Sequence, residues 1–591
     1  MNPIKKITLI LFLLLLAACA VPEGERAVYV EQGTSNTFLP MMVKSPNQGT
    51  DVVYTNGAIY TVNANQPWAQ AVAVRNGVIL AVGTQQEVLA QVNGTPRMID
   101  LNGAMMLPGF QDPHLHALEA GLNTNLCIVS QFGEFAQYIS EVQACASQQP
   151  NSAWVRASGA NMAALLHRDR LPIEVLDEAV SDRPVIVLDD LGQGAWLNTL
   201  AMQAVGYDTM TSDPAGGILV RDPDTGDLTG LVLENAQQVA RTASLPPTTA
   251  NLELAYQGLL TGLDSLAQNG ITTVSDAGGY WPRGHHEVWQ RAVNENTLTV
   301  RASNALYLFP ERDMQEQIAQ LQQLYRNDAN SLLRYNQVKI YVDGIISQGT
   351  GALLAPYTQP FDIPGVPNDG FLYFQTDTLN QYAAQLEALG FQLHFHVTGD
   401  RGARLALDAI QSASSTNQLT DRRHRLTHLY LVDSADYPRF QALGAIADFQ
   451  LAPSSTTAEY ANSLAPNLGK RVNNLLPAFD LLDAGAKVVL SSDWDADTLS
   501  PLVKIQSVLT QQANNTPTLA TLIRMMTLDV AHLLHHDDKT GSIEVGKLAD
   551  LVIIDRNLFD LPTTQISQAK ILLTLLEGEE VYRDAAAPGG R

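Results

Sequence analysis

Leu107-Pro108-Gly109-Phe110-Gln111-Asp112-Pro113-His114-Leu115-His116 is the stretch on which the reading of the fold turns. An apolar run from Ala104 to Asp112 reads as a strand, and a His-x-His pair follows it directly. Side chains two residues apart on an extended segment point the same way, so both imidazoles face one space. Downstream, seven more short apolar segments read as strands: 271–276, 300–306, 338–343, 391–396, 425–428, 445–449 and 487–493. Helical stretches separate most of them, among them 252–269, 314–326, 378–389 and 400–412. Alternating β and α units imply a parallel sheet, and eight of them imply a closed α/β barrel of the (β/α)8 TIM type.

Metal-capable side chains recur at the ends of these strands. His114 and His116 follow the first, Lys339 lies within the fourth, His396 ends the fifth, His428 the sixth and Asp493 the eighth. Strand C-termini of a barrel converge on one face, where its chemistry is placed. Imidazole and carboxylate suit zinc and related divalent ions. Each residue alone has a blander explanation: Ser-Asp after a strand is commonly a helix cap, and a lone His-x-His is commonly structural. A lysine in an apolar strand has none, because burial without a partner is costly. His394, two residues before His396, reads as a neighbour of the set.

Outward from the barrel, residues 51–106 carry short β segments separated by Asn56-Gly57 and Asn76-Gly77, dipeptides that mark hairpins. The same texture returns in Leu551-Val552-Ile553-Ile554 and at 571–576. The expected organisation is a small composite β-sandwich from 49–103 and 540–586, around a barrel at 104–539. A subdomain is inserted at 117–250, a span too long for a loop.

At the N-terminus, Lys5 and Lys6 precede an apolar run to Leu16 and then Ala17-Ala18-Cys19. That run is the length of a signal-peptide core, not of a spanning helix. Leu16-Ala17-Ala18-Cys19 resembles a bacterial lipobox, which implies removal of residues 1–18, lipidation of Cys19 and a tether at 19–48. Ala20, in place of Asp, points to an outer-membrane anchor facing the periplasm. Cys127 and Cys145 stand open between a disulfide and two buried thiols. The chain has 60 acidic and 36 basic residues, a formal charge of −24, and so lacks the basic character that binds nucleic acid.

The quoted stretch, with Val338-Lys339-Ile340-Tyr341-Val342-Asp343-Gly344, Phe395-His396-Val397-Thr398-Gly399-Asp400, Leu490-Ser491-Ser492-Asp493-Trp494 and Gly541-Ser542-Ile543-Glu544-Val545-Gly546-Lys547, resembles the amidohydrolase superfamily. Within it, the amidohydrolase-3 group that includes N-substituted formamide deformylases is the most similar. The resemblance implies one or two divalent metal ions, zinc foremost, held by His114, His116, Lys339, His396, His428 and Asp493. Lys339 is then a carboxylated bridge and Asp493 the general acid and base. It also implies hydrolysis of a small-molecule amide, and it is compatible with a homodimer. Three departures touch the substrate side: Leu191-Gly192-Gln193 in place of Asp-Gly-His, Asp495 in place of Pro, and Ser347-Gln348-Gly349 in place of an Arg. Trp154, Tyr280, Trp281 and Trp494 are candidate apolar walls. The alternatives are cyclic-amide, ester or deaminase chemistry on the same site, or an inactive ligand-binding lipoprotein. An inactive scaffold is expected to lose ligands, and here all six stand.

Overall fold

The computed structural model describes residues 51–166, 169–190, 192–511 and 516–589. The expected signal peptide, the tether, Cys19 and Leu191 lie outside the described residues. The eight barrel strands, in chain order, are Phe110–Leu115, Ile271–Gly279, Arg301–Tyr307, Leu333–Tyr341, Gln392–Val397, Arg425–His428, Ile446–Phe449 and Lys487–Leu490. Each pairs in parallel with its neighbour in sequence. The fourth shows why these segments become strands: all nine of its residues are buried. Val338 and Ile340 pack outward on the helices, while Gln337 and Lys339 alternate into the barrel, as a period of two requires.

The barrel closes through its metal-capable ends. The Asp493 N–H donates to the His114 carbonyl at 2.8 Å, and the His116 N–H donates to that of Trp494 at 2.7 Å. The last strand therefore ends at Leu490, short of the expected Asp493, which sits in the following loop with φ 54°. The expected first strand, 104–112, is likewise corrected. Met105–Pro108 belongs to the terminal sheet and only Phe110–Leu115 to the barrel. The hinge is Gly109, where a Cβ would stand 2.3 Å from the Thr272 hydroxyl; only glycine lets the chain pass from one sheet to the other.

The terminal sheet has eight strands drawn from both ends of the chain. Val52–Tyr60 pairs with Arg97–Asp100 through its first half and with Met105–Pro108 through its second. Leu551–Ile554 and Ile571–Leu576 extend the sheet beyond Met105–Pro108. The sheet folds around a core that includes Ile59, Val72, Met106, Ile553 and Leu573.

Between the first two barrel strands the chain forms the helix Ala117–Asn123, then a six-stranded sheet running from Cys127–Ile128 to Leu228–Glu234, then the helix Thr249–Gln268. Gly121, Gly258 and Gly262 let the two helices touch backbone to backbone. Cys127 and Cys145 are joined in a disulfide, Cα atoms 5.5 Å apart, which decides the alternative the sequence leaves open. Trp154 belongs to the core of this inserted unit, with Ile186 and Leu188, and not to a substrate wall. Among the described residues, no helix is long and apolar enough to cross a membrane.

Candidate metal centre

Strand register sets the layers of the site. Lys339 lies beside His394, and His394 beside Arg425. One step higher, Tyr341 lies beside His396 and His396 beside Thr427. The six candidate residues gather at this end of the barrel. Asp493 Oδ1 is 3.2 Å from His114 Nε2 and 3.3 Å from His116 Nε2. Its other oxygen is 3.8 Å from His428 Nδ1. Lys339 Nζ lies 3.3 Å from His114 Nε2, and the His396 and His428 rings are 4.3 Å apart.

Around them stands a polar frame only partly visible in the sequence. Thr427 Oγ1 is 3.0 Å from His114 Nδ1. Gln450 offers its oxygen to His428 Nδ1 at 3.0 Å and donates from its nitrogen to Thr427 and Ser491 at 3.1 and 2.9 Å. One amide thus orients two candidate ligands at once. Gln450 follows the seventh strand, which carries none of the six residues, so no motif signals it. Asp112 accepts the backbone N–H groups of His114 and Ser492 at 3.2 and 3.1 Å, tying the first strand to the last. Asp400 accepts from Leu354 at the start of its helix and touches none of the six.

His394 is excluded as a ligand by its own partners. Arg425 donates to its Nδ1 at 2.6 Å, so Nε2 carries the proton, 3.0 Å from His114 Nδ1. His396 is the opposite case. Its Nε2 lies 3.3 Å from the Gly344 carbonyl and must donate to it, which leaves Nδ1 a bare lone pair. That nitrogen is buried with no protein partner. A buried acceptor without a hydrogen bond is open to a water or a cation. The ring is held by stacking on Tyr341, centroids 4.0 Å apart.

Electrostatics favour cation binding. Burial lowers the His114 and His396 pKa values well below the usual imidazole range and His428 to about 4, leaving neutral nitrogens. Burial opposes the charge on Asp493, but its contacts with the N–H groups of His114 and His116, the latter raised above the usual imidazole range by Asp493 against the effect of burial, outweigh it and hold the carboxyl well below the usual range. Burial also pulls Lys339 down to about 7. Donor atoms of His114, His116 and Asp493 all lie within 4.8 Å of one another. With the orphaned His396 nitrogen, the residues present fit a divalent ion.

Residues 97–582 match the model of the amidohydrolase family. The chain belongs to the amidohydrolase family. It is 26% identical over 555 residues to Protein LONG AFTER FAR-RED 3 of Arabidopsis thaliana, covering 90% of this chain and 91% of that one. It is 25% identical over 552 residues to the N-substituted formamide deformylase of Arthrobacter pascens, covering 90% and 98%. A metal-dependent hydrolase from Pyrococcus horikoshii shares the fold, with a TM-score of 0.67 at 18% identity over 87% of this chain and 99% of that one.

The three departures from the group's motifs all bear on the inserted unit of this amidohydrolase. Gln193 donates its backbone N–H to Asp189 at 2.8 Å. Gln348 donates to Asp189 at 2.6 Å, and Asp495 accepts from Asn123 at 2.5 Å. Beside the site, Tyr280, Tyr307 and Tyr341 form a run of rings with centroids 5.2 and 5.5 Å apart. Trp281 packs on Phe309, also at the third strand's end.

Proposed function

We propose that this amidohydrolase cleaves the C–N bond of a small N-substituted amide or formamide, with a divalent ion, zinc foremost, held by His114, His116, Lys339, His396, His428 and Asp493. The observation that carries the reading is the convergence of His114, His116 and Asp493 donor atoms within 4.8 Å, beside the unpartnered His396 nitrogen. When bound, such an ion supplies Lewis acidity toward the carbonyl and eases the ionisation of water near neutral pH. The protein's own part is to hold groups and move a proton. Asp493, kept ionised by its imidazoles, takes a proton from the attacking water and passes it to the departing amine nitrogen. Lys339, with a neutral amine within reach near pH 7, reacts with carbon dioxide: its nitrogen bonds to carbon, a proton leaves, and a carboxylate results. The named activity of the Arthrobacter pascens relative supports the choice of a formamide.

Metal per chain, measured by mass spectrometry beside Lys339→Ala, tests this reading. Near two equivalents, falling in the variant, supports a carboxylated bridge. One equivalent, unchanged in the variant, removes Lys339 from the site. No metal after growth with added zinc or manganese overturns the mechanism.

A further inference from the structure

A cavity of about 360 Å³ lies between the inserted sheet and the barrel's helices, and the mechanism above does not use it. Its volume falls in the range of small-molecule sites. Ile186 and Leu188 of the inserted sheet supply part of its wall, with Leu122 and Leu254 from the two glycine-contacting helices. Its charged lining residues are Arg156 and Arg241; no Asp, Glu, Lys or His lines it among the described residues. In a chain with 60 acidic residues against 36 basic ones, an acid-free wall with two arginines sets the sign of what it takes.

Arg241 is only partly neutralised, and Arg156 not at all. Arg241, its side chain 12% exposed, pairs with Glu119, but that carboxylate also holds Arg283 at 3.2 Å. Two guanidinium groups share that one carboxylate, Asp495 offsets part of the remaining positive charge, and the third neighbour, His285, is kept neutral by burial. Arg156 is half-buried, donates to the Ser244 carbonyl at 3.0 Å, and has no ion pair among the described residues. A cation withdrawn from water without a counter-charge is unfavourable, and a planar carboxylate matches the guanidinium donors. The cavity is also braced. The Cys127–Cys145 disulfide joins the segment behind Leu126 to the helix ending at Gln148, and both of those residues line the cavity.

We propose that this cavity binds a small organic carboxylate with an apolar body, its carboxylate on Arg156 and Arg241 and its body against the leucine and isoleucine wall. Calorimetric titration of the metal-loaded enzyme with octanoate, octanol and octylamine tests it. The expected result is one octanoate per chain, at least tenfold tighter than octanol, with no octylamine bound. Arg156→Met keeps the apolar stem and removes the charge; it is expected to weaken octanoate at least tenfold. Leu254→Glu, at a position already 41% exposed, adds a like charge at the rim and is expected to do the same. Thermal melting and metal content establish that both variants are folded. Absent octanoate binding, equal affinity for octanol, or octanoate affinity unchanged in both folded variants overturns the proposal.

Discussion

Gln450 shows how much of the site depends on residues that bind nothing themselves. Its oxygen faces His428 and its nitrogen holds Thr427, which in turn meets His114. Groups that orient ligating histidines are commonly worth 10- to 100-fold in metal affinity. Gln450→Ala is therefore expected to lower metal affinity by roughly that factor, read by competition with a chelator, while leaving the fold intact. Asp493→Asn belongs to the same scale. Asparagine fills the same space but cannot take up the proton. The expected fall in kcat is roughly 10²- to 10⁴-fold, and a variant with near-native kcat removes Asp493 from proton transfer.

Among the elements, the helix pair behind His116 couples the inserted unit to the site. Ala117–Asn123 starts one residue after His116 and carries Glu119, whose carboxylate collects Arg241, Arg283 and His285. Its packing on Thr249–Gln268 rests on glycines: a Cβ at Gly121 would lie 1.8 Å from the Gly258 carbonyl oxygen. Overpacked contacts of this kind cost about 1–3 kcal/mol. Gly121→Ala is expected to lower Tm and, by shifting the helix, to weaken metal binding as well. An unchanged Tm by calorimetry shows that the helices have room to part. The inserted unit is tied to the barrel by Gln348 on Asp189 and Asn123 on Asp495.

For the whole molecule, buried carboxyl groups and buried histidines together govern the response to pH. Burial pushes Asp112, Asp189, Glu234 and Asp343 up to about 7. Between an unfolded value near 4 and a folded value near 7, the native state binds more protons than the unfolded chain. Stability therefore falls as pH rises through that window. Glu119 behaves oppositely. Burial alone would raise it, but Arg241 and Arg283 hold it at about 2, so its contribution is present above about 4.5 and lost only as pH falls toward 2. The buried histidines oppose the raised carboxyls: burial holds His428 and His285 near 4 and His114, His394 and His396 well below the usual range, so the unfolded chain binds more protons up to about 6.5 and stability grows as pH rises to there. Together these trends predict a Tm maximum near pH 6.5 and a decline toward pH 8, read by scanning calorimetry at fixed metal concentration. A Tm that climbs steadily from pH 5 to 8 contradicts this account.

The class of the fold and the six candidate residues were legible in the chain because both rest on local signals. A buried parallel strand is a short apolar run, and a residue at its end is marked by where that run stops. Arg425–His428 was readable to the residue for that reason. What tertiary structure alone decided is everything that depends on approach between distant segments. The strand through Leu107 divides at Gly109 because Thr272 presses on it, which no local pattern reveals. His394 and His396 have the same type and face the same side; only Arg425 on one and the Gly344 carbonyl near the other separate a support from a candidate ligand. The Cys127–Cys145 pairing and the cavity beside it likewise arise where separate stretches meet. Periodicity records which side of an element is buried, and packing determines what it is buried against.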